Sequence, residues 1–173
     1  TLTVPKGGLP LLGYVNGAEV RNLNIYGEEI NGYGLVNNFE GVGLSGYAII
    51  MDNVTLKSGS RTLRAGLIGA NITTNVFAGV SASYTAIIRN STIEKDVVVG
   101  YDGAQSEIGA FAGRFQGVIE NCVSHATVKG VDFVGGIIGT RDNALGDCII
   151  RNCTFDGVVT ASGNNAGGIV GGG

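Results

Sequence analysis

Arg141, Asp142 and Asp147 fall together in the segment TRDNALGD. Clustered carboxylates beside a base are the equipment for general acid–base cleavage of a glycan, or for holding calcium. Asp96, Asp102, Asp132 and Arg114 widen the set of candidates, but they stand in other stretches of the chain and none forms an in-register pair of carboxylates on one face. His125 is the single histidine. One imidazole cannot build a zinc site without Cys or carboxylate partners at suitable spacing, so an outward surface position is the expectation. The three cysteines, Cys122, Cys148 and Cys153, are an odd number and make no disulfide framework. Tyr26, Tyr33, Tyr47, Tyr84 and Tyr101 offer faces on which a sugar ring can stack, although capping of corners explains irregularly spaced tyrosines equally well. The candidates for ligand contact are therefore Tyr26, Tyr33, Tyr84, Tyr101, Arg141 and Asp142, all of them weak, and no catalytic set emerges. No cofactor is expected; calcium is the one ion these acids leave open.

The elements that would position such side chains follow from composition and pattern. The chain has 173 residues, 31 of them Gly and only 2 Pro, with no Trp, 44% hydrophobic and 14% charged residues. That glycine content is about two and a half times the usual share, yet abundant Val and Ile exclude a disordered Gly-rich chain and no strict Gly-X-Y period marks collagen. Short β-branched runs punctuated by Gly and Asn fit strands joined by tight turns. A net charge of −3 without a recurring basic cluster gives no case for nucleic acid. No apolar run approaches the roughly 18 residues that span a bilayer, so membrane insertion is not expected. The chain starts at Thr1 and stops inside the phrase GGIVGGG. Residues 1–173 are expected to be one segment of a larger protein.

Internal similarity decides the fold class. The segments VRNLNI, MDNVTL, IRNSTI, IENCVS and IRNCTF align on Asn22, Asn53, Asn90, Asn121 and Asn152, at spacings of 31, 37, 31 and 31 residues. A second phrase recurs between them: GLVN at Gly34, GLIG at Gly66, GAFAG at Gly109, GGIIG at Gly135 and GGIVG at Gly167. Two residues before each Asn the side chain is apolar (Val20, Met51, Ile88, Ile119, Ile150), and one before it is charged (Arg21, Asp52, Arg89, Glu120, Arg151). Inside and outside alternate with the period of two that strands require, on each side of the Asn. The charged column alternates in sign from one repeat to the next. Parallel strands stacked ~4.8 Å apart then put every Arg beside a carboxylate, with Arg89 expected to bridge Asp52 and Glu120. Asn tolerates left-handed backbone angles and serves the corner, and stacked Asn amides can form a ladder. Cys122 and Cys153 share a column of adjacent repeats, within reach of a disulfide; their apolar surroundings favour two buried thiols instead. Cys148 falls just before its strand. The spacing of 37 implies a longer loop in Thr73–Thr85 or Lys95–Glu107. The architecture these features predict is all-β: a right-handed parallel β-helix, a solenoid of about five rungs.

The phrases VGGIIG (Val134–Gly139) and AGGIVG (Ala166–Gly171), with IENCVSHATVKG and IRNCTFDGVV, resemble the GLUG-type repeats of bacterial adhesins and immunoglobulin A-specific peptidases. The stretch LLGYVNGAEVRNLNIYG (Leu11–Gly27) is similar to the entry into the β-helical region upstream of the catalytic domain in such peptidases. The resemblance is strong in the last two repeats and loose in the first three. It implies a right-handed β-helix at the bacterial surface or outside the cell, with a surface protein or glycan of host or microbe as partner, and it assigns no chemistry. Peptidase activity does not carry over, because the HExxH pattern is absent. The expected function is a non-catalytic module for adhesion, ligand binding or spacing. The alternative is an accessory domain of a larger secreted enzyme, acting on glycans or immunoglobulin A, with catalysis elsewhere. Parallel β-helices also include polysaccharide lyases and hydrolases, but the charged column pairs acids with bases and so argues for structural use. The outward Thr column (Thr55, Thr92, Thr154) resembles an ice-binding array only until Asn24 and Val123 interrupt it.

Overall fold

A computed structural model describes residues 1–8, 11–15, 18–31, 34–40, 49–63, 65–67, 72–73, 86–103, 106–141 and 147–173. Among them there are only strands, turns and bends, and no helix. Every strand pairing is parallel, and each joins one repeat to the next. Nine strands form the largest sheet, which carries the Asn segments: Leu2–Val4, Ala18–Gly27, Ile49–Leu56, Ala86–Arg89, Thr92–Ile93, Gly117–Glu120, Val123–Ser124, Cys148–Arg151 and Thr154–Phe155. Cys148 therefore opens its strand instead of preceding it. A four-stranded sheet follows (Arg61–Thr62, Val98–Gly100, Thr127–Gly130, Val158–Ala161). Three further sheets of three strands carry the glycine phrases and the chain's return to the next Asn segment.

The register matches like positions of successive repeats. Arg21 pairs with Asp52, Asp52 with Arg89, Arg89 with Glu120 and Glu120 with Arg151. All five column asparagines adopt left-handed angles, with φ between 51° and 56°. Only a minority of residues with a Cβ enter this region, and Asn is among those enriched there. The consequence is a change of phase. The residue before the Asn and the Asn itself both face outward, so Ile119 and Cys122 are both buried although they are three apart. The core behind this corner is Met51, Ile88 and Ile119 on one side, then Val54, Ser91 and Cys122, then Leu56, Ile93 and Ser124. Val99 and Val128 continue it under the second sheet, and Phe111, Phe115 and Ile137 fill the far side.

Glycine in the second phrase answers to a close approach of backbones. A Cβ on Gly135 would sit 1.9 Å from the Ile138 carbonyl oxygen, and its column partners Gly109 and Gly167 meet the Ala112 and Val170 oxygens at 2.2 and 2.0 Å. No side chain fits at that corner.

The regular spacing of the asparagines conceals unequal arcs. Val99 pairs with Val128, 29 residues on, whereas Ile108 pairs with Val134, only 26 on. Nine residues separate Val99 from Gly109, against two between their partners Thr62 and Ala65. Thirteen residues separate Ile72 from Ala86, against nine between Phe39 and Ile49, the strands stacked before them. Four of the six additional residues of the 37-residue step thus fall between Ile72 and Ala86, where residues 74–85 lie outside the described ones, while the extra length after Val99 belongs to the following step. The constant 31 elsewhere is a sum in which long corners offset short ones.

Candidate functional site

The charged column is held by the sheet that carries the Asn segments, with its side chains on the outer face. Asp52 sits at its centre. It takes an ion pair from Arg21 and another from Arg89, 2.9 Å to Nη2, while its second oxygen accepts the Asn90 side-chain amide at 2.8 Å. The Asn90 amide, then Arg89, hold the Asp52 carboxyl below the usual carboxylate range, against the opposing effect of desolvation. Glu120 accepts both Nε and Nη2 of Arg151, at 2.8 and 2.6 Å. Arg89 does not bridge as expected. It lies opposite Glu120 in register, but among the described residues its ion pair is with Asp52 alone, and its Nε is buried without a partner there. Asp52 faces Arg89 with Asn90 beside it, and this three-way contact draws the guanidinium to one side.

The asparagine amides follow suit. Asn53 donates to Asn22 at 2.8 Å and Asn152 to Asn121 at 3.3 Å. Asn90 gives its amide to Asp52 instead, so the ladder is interrupted at the third repeat. A second alternating column, four residues after the Asn, runs Lys57, Glu94, His125, Asp156. Lys57 pairs with Glu94, which also accepts the Ser58 backbone N–H at 2.9 Å, and His125 Nδ1 meets Asp156. The Lys57 bond, then the Ser58 N–H, lower the Glu94 carboxyl. Sequence reasoning classed this column only as polar; its alternation of basic and acidic residue types after Tyr26 was the available signal. His125 and Asp156 border a groove of about 380 Å³ with Lys95, Asp96, Thr127 and Gly157.

The other acids and bases are placed apart. Arg114 bonds Glu107 (Nε to Oε1 3.1 Å), Lys129 bonds Asp102 at 3.3 Å, and Asp132 accepts the Asn164 backbone N–H at 2.6 Å. Each is occupied locally, and among the described residues no three His, Cys, Asp or Glu side chains lie close enough to hold a metal ion. Arg141 is exposed at the end of its strand, while Asp142, Tyr33, Tyr47 and Tyr84 lie outside the described residues. Tyr26 is half-buried, its ring 3.6 Å from where a Cβ on Gly59 would stand, and so covers a corner. Tyr101 is exposed to 47%.

The cysteines are free thiols. Cys122 and Cys153 stand side by side, flanked by the paired residues Glu120–Arg151 and Val123–Thr154. Each Sγ lies 3.2 Å from a carbonyl oxygen two residues before it, Glu120 for Cys122 and Arg151 for Cys153, with a carbonyl of the preceding repeat farther off, Ile88 at 3.7 Å and Ile119 at 3.5 Å. Burial pushes the Cys122 thiol up to about 12 and also raises Cys148. Neither is an activated nucleophile.

Set against protein-family models, curated proteins and solved structures, the chain matches none of them. What the arrangement can do chemically therefore rests on the geometry. In the column before the asparagines, and at Lys57 and Glu94, acids and bases meet in neutralising pairs that span repeats. Asp96 and Asp156 border one groove, but there Asp156 is engaged by His125.

Proposed function

We propose that the chain is a right-handed parallel β-helix of about five rungs, serving as a non-catalytic module of a surface-exposed or secreted bacterial protein. Its work is adhesion, ligand binding or spacing, with a glycan or a surface protein of host or microbe as partner. Parallel pairing of each repeat with the next supports the coil. The strong preference of parallel crossovers for a right hand supports the handedness, and the GLUG-like phrases support the surface setting. One observation carries the reading: the charged side chains that precede the asparagines are consumed by their counterparts one repeat away. A catalytic site needs such groups to converge on the position of a reacting atom. A ladder of this kind sets register and stiffens a rod.

The test is to screen the intact chain on arrays of glycans and of extracellular-matrix proteins, in parallel with assays for glycoside, polyuronate and peptide cleavage. Binding without turnover is the expected result. Turnover of any of these substrates, abolished by a point substitution in the chain, overturns the reading and makes the segment an enzyme in its own right.

A further inference from the structure

A pocket of about 300 Å³ opens where the first three repeats stack, lined by Glu29, Arg61, Thr62, Leu63, Gly100 and Tyr101. Its position follows from backbone facts. Ile30 bridges Thr62, and the Ile30 N–H donates to the Arg61 carbonyl at 2.8 Å, so Glu29 and Arg61 are neighbours across adjoining strands. Thr62 in turn pairs with Val99, and Gly100 follows. Gly100 is left-handed (φ 77°), and a Cβ there would lie 2.0 Å from the Lys129 carbonyl oxygen. Only glycine turns the chain out at this point, and Tyr101 is the first residue of the extra length that leaves the sheet.

We infer that this pocket binds a neutral hexopyranose unit of a glycan, with Tyr101 as the stacking face and Arg61 and Glu29 as the hydroxyl-recognising pair. The inference rests on the non-catalytic binding reading above and gives it a site. Arg61 is exposed and makes no ion pair with a described residue, unlike Arg21, Arg89, Arg114 and Arg151. Glu29 is half-buried and likewise makes no ion pair with a described residue, although the two stand side by side. A guanidinium offers only donors and a carboxylate only acceptors. An anionic ligand would meet Glu29 and a cationic one would meet Arg61. Vicinal hydroxyls, which both donate and accept, satisfy both at once. Leu63 and the half-exposed ring of Tyr101 supply apolar surface for the C–H face of a pyranose. At about 300 Å³ the pocket stands at the small end of the range for ligand sites, which suits one sugar unit of a longer chain.

The experiment is calorimetric titration of the intact chain with neutral tetrasaccharides of glucose, mannose and galactose, and with a uronate tetrasaccharide. At least one neutral probe should bind, and more tightly than the uronate. Tyr101→Ala and Arg61→Ala should each weaken that binding by roughly tenfold, the equivalent of losing one stacking contact or one charged hydrogen bond. Tyr101→Phe should keep most of it, and Glu29→Gln should weaken it without changing the thermal unfolding of the chain. Absence of binding to every neutral probe overturns the inference, as does stronger binding of the uronate. Binding that survives both Tyr101→Ala and Arg61→Ala overturns this site while leaving the module reading intact. Release of reducing ends from a bound probe overturns the module reading itself.

Discussion

Replacing Asn121 tests the corner on which the repeat depends. Its φ of 53° lies in the left-handed region, between two buried neighbours, Ile119 and Cys122, that fix the path of the chain on either side. An ordinary residue with a Cβ pays about 1–2 kcal/mol to hold that conformation. Glycine pays no steric cost there, although it loses roughly 0.5–1 kcal/mol of unfolded-state entropy. Asn121 also accepts the Asn152 amide at 3.3 Å in an exposed position, a contact both substitutions remove and one worth well under about 1 kcal/mol. Asn121→Ala should therefore unfold more easily than wild type, and Asn121→Gly should fall between them, separated from Ala by about 1 kcal/mol or less. A β-branched residue is most strained at positive φ, so Asn121→Val should be the least stable of the series. For a chain of this length each kcal/mol is worth roughly 2–4 °C in Tm. Urea unfolding followed by circular dichroism gives the order directly, with the slope unchanged if the native surface is unchanged. An order in which Ala equals or exceeds Gly refutes the left-handed corner, and with it the phase change that buries Ile119 and Cys122 together.

Gly135→Ala should cost on the order of 2–3 kcal/mol, since its Cβ would sit 1.9 Å from the Ile138 oxygen. Gly168→Ala, in the next copy of the phrase but with nothing within 4 Å of its Cβ, should stay within about 0.5 kcal/mol of wild type; similar losses at both sites refute the close approach. Acid should destabilise the fold through Asp52 and Glu94. Both carboxyls titrate lower in the native chain than in the unfolded one. The stability they supply is thus complete above the unfolded values near about 4 and is lost as pH falls through the folded ones. Asp52→Asn should flatten the fall of Tm between about pH 5 and pH 2, and an unchanged slope would show that Asp52 does not contribute. A thiol pushed up to about 12 in the core should escape labelling. Native protein at mildly alkaline pH should react with a disulfide reagent at Cys153 and Cys148 before Cys122, which should appear only on denaturation; early modification of Cys122 would show that the core opens there.

The sequence made the Asn strands legible because two signals coincide in them. An inside–outside period of two runs up to each asparagine and resumes after it, and the preceding column reverses sign at each repeat. Both depend only on neighbours along a strand and across one strand gap, which is information a column alignment contains. The path between the asparagines was much less legible. The equal spacing from Asn90 to Asn121 and from Asn121 to Asn152 invites equal arcs, yet nine residues separate Val99 from Gly109 against six between their partners Val128 and Gly135, and shorter stretches elsewhere make up the difference. Compensation of that kind leaves no trace in a period. Arg89 failed to bridge Glu120 for a related reason. Pairing rules assign one neighbour on each side, whereas Asp52, with Asn90 beside it, offers a better-built partner than Glu120 does. Tyr101 stood among the candidate sugar contacts from the start, but Glu29 and Arg61 did not, because they lie outside the aligned columns and become neighbours only through the bridge of Ile30 to Thr62.

That last contrast bears on where function can reside in a stack of repeats. Identical residues in successive layers would place like charges about 4.8 Å apart, so a charged column survives only if its sign alternates, and alternation in turn quenches it. Along the column that precedes the asparagines, and at Lys57 and Glu94 in the one four residues beyond them, cations and anions are spent on each other. A group held in such a column can fix register but has little left to offer a ligand. Recognition falls instead to positions where the repeat is broken, either by inserted residues or by opposite charges that adjoin without pairing. The pocket at Tyr101 has both features: seven inserted residues that follow a left-handed glycine, and Glu29 beside Arg61 with neither bound to the other. If irregularity is what leaves chemistry available here, substitutions at Glu29, Arg61 and Tyr101 should alter binding and spare stability. Substitutions at Asp52 and Asn121 should do the reverse.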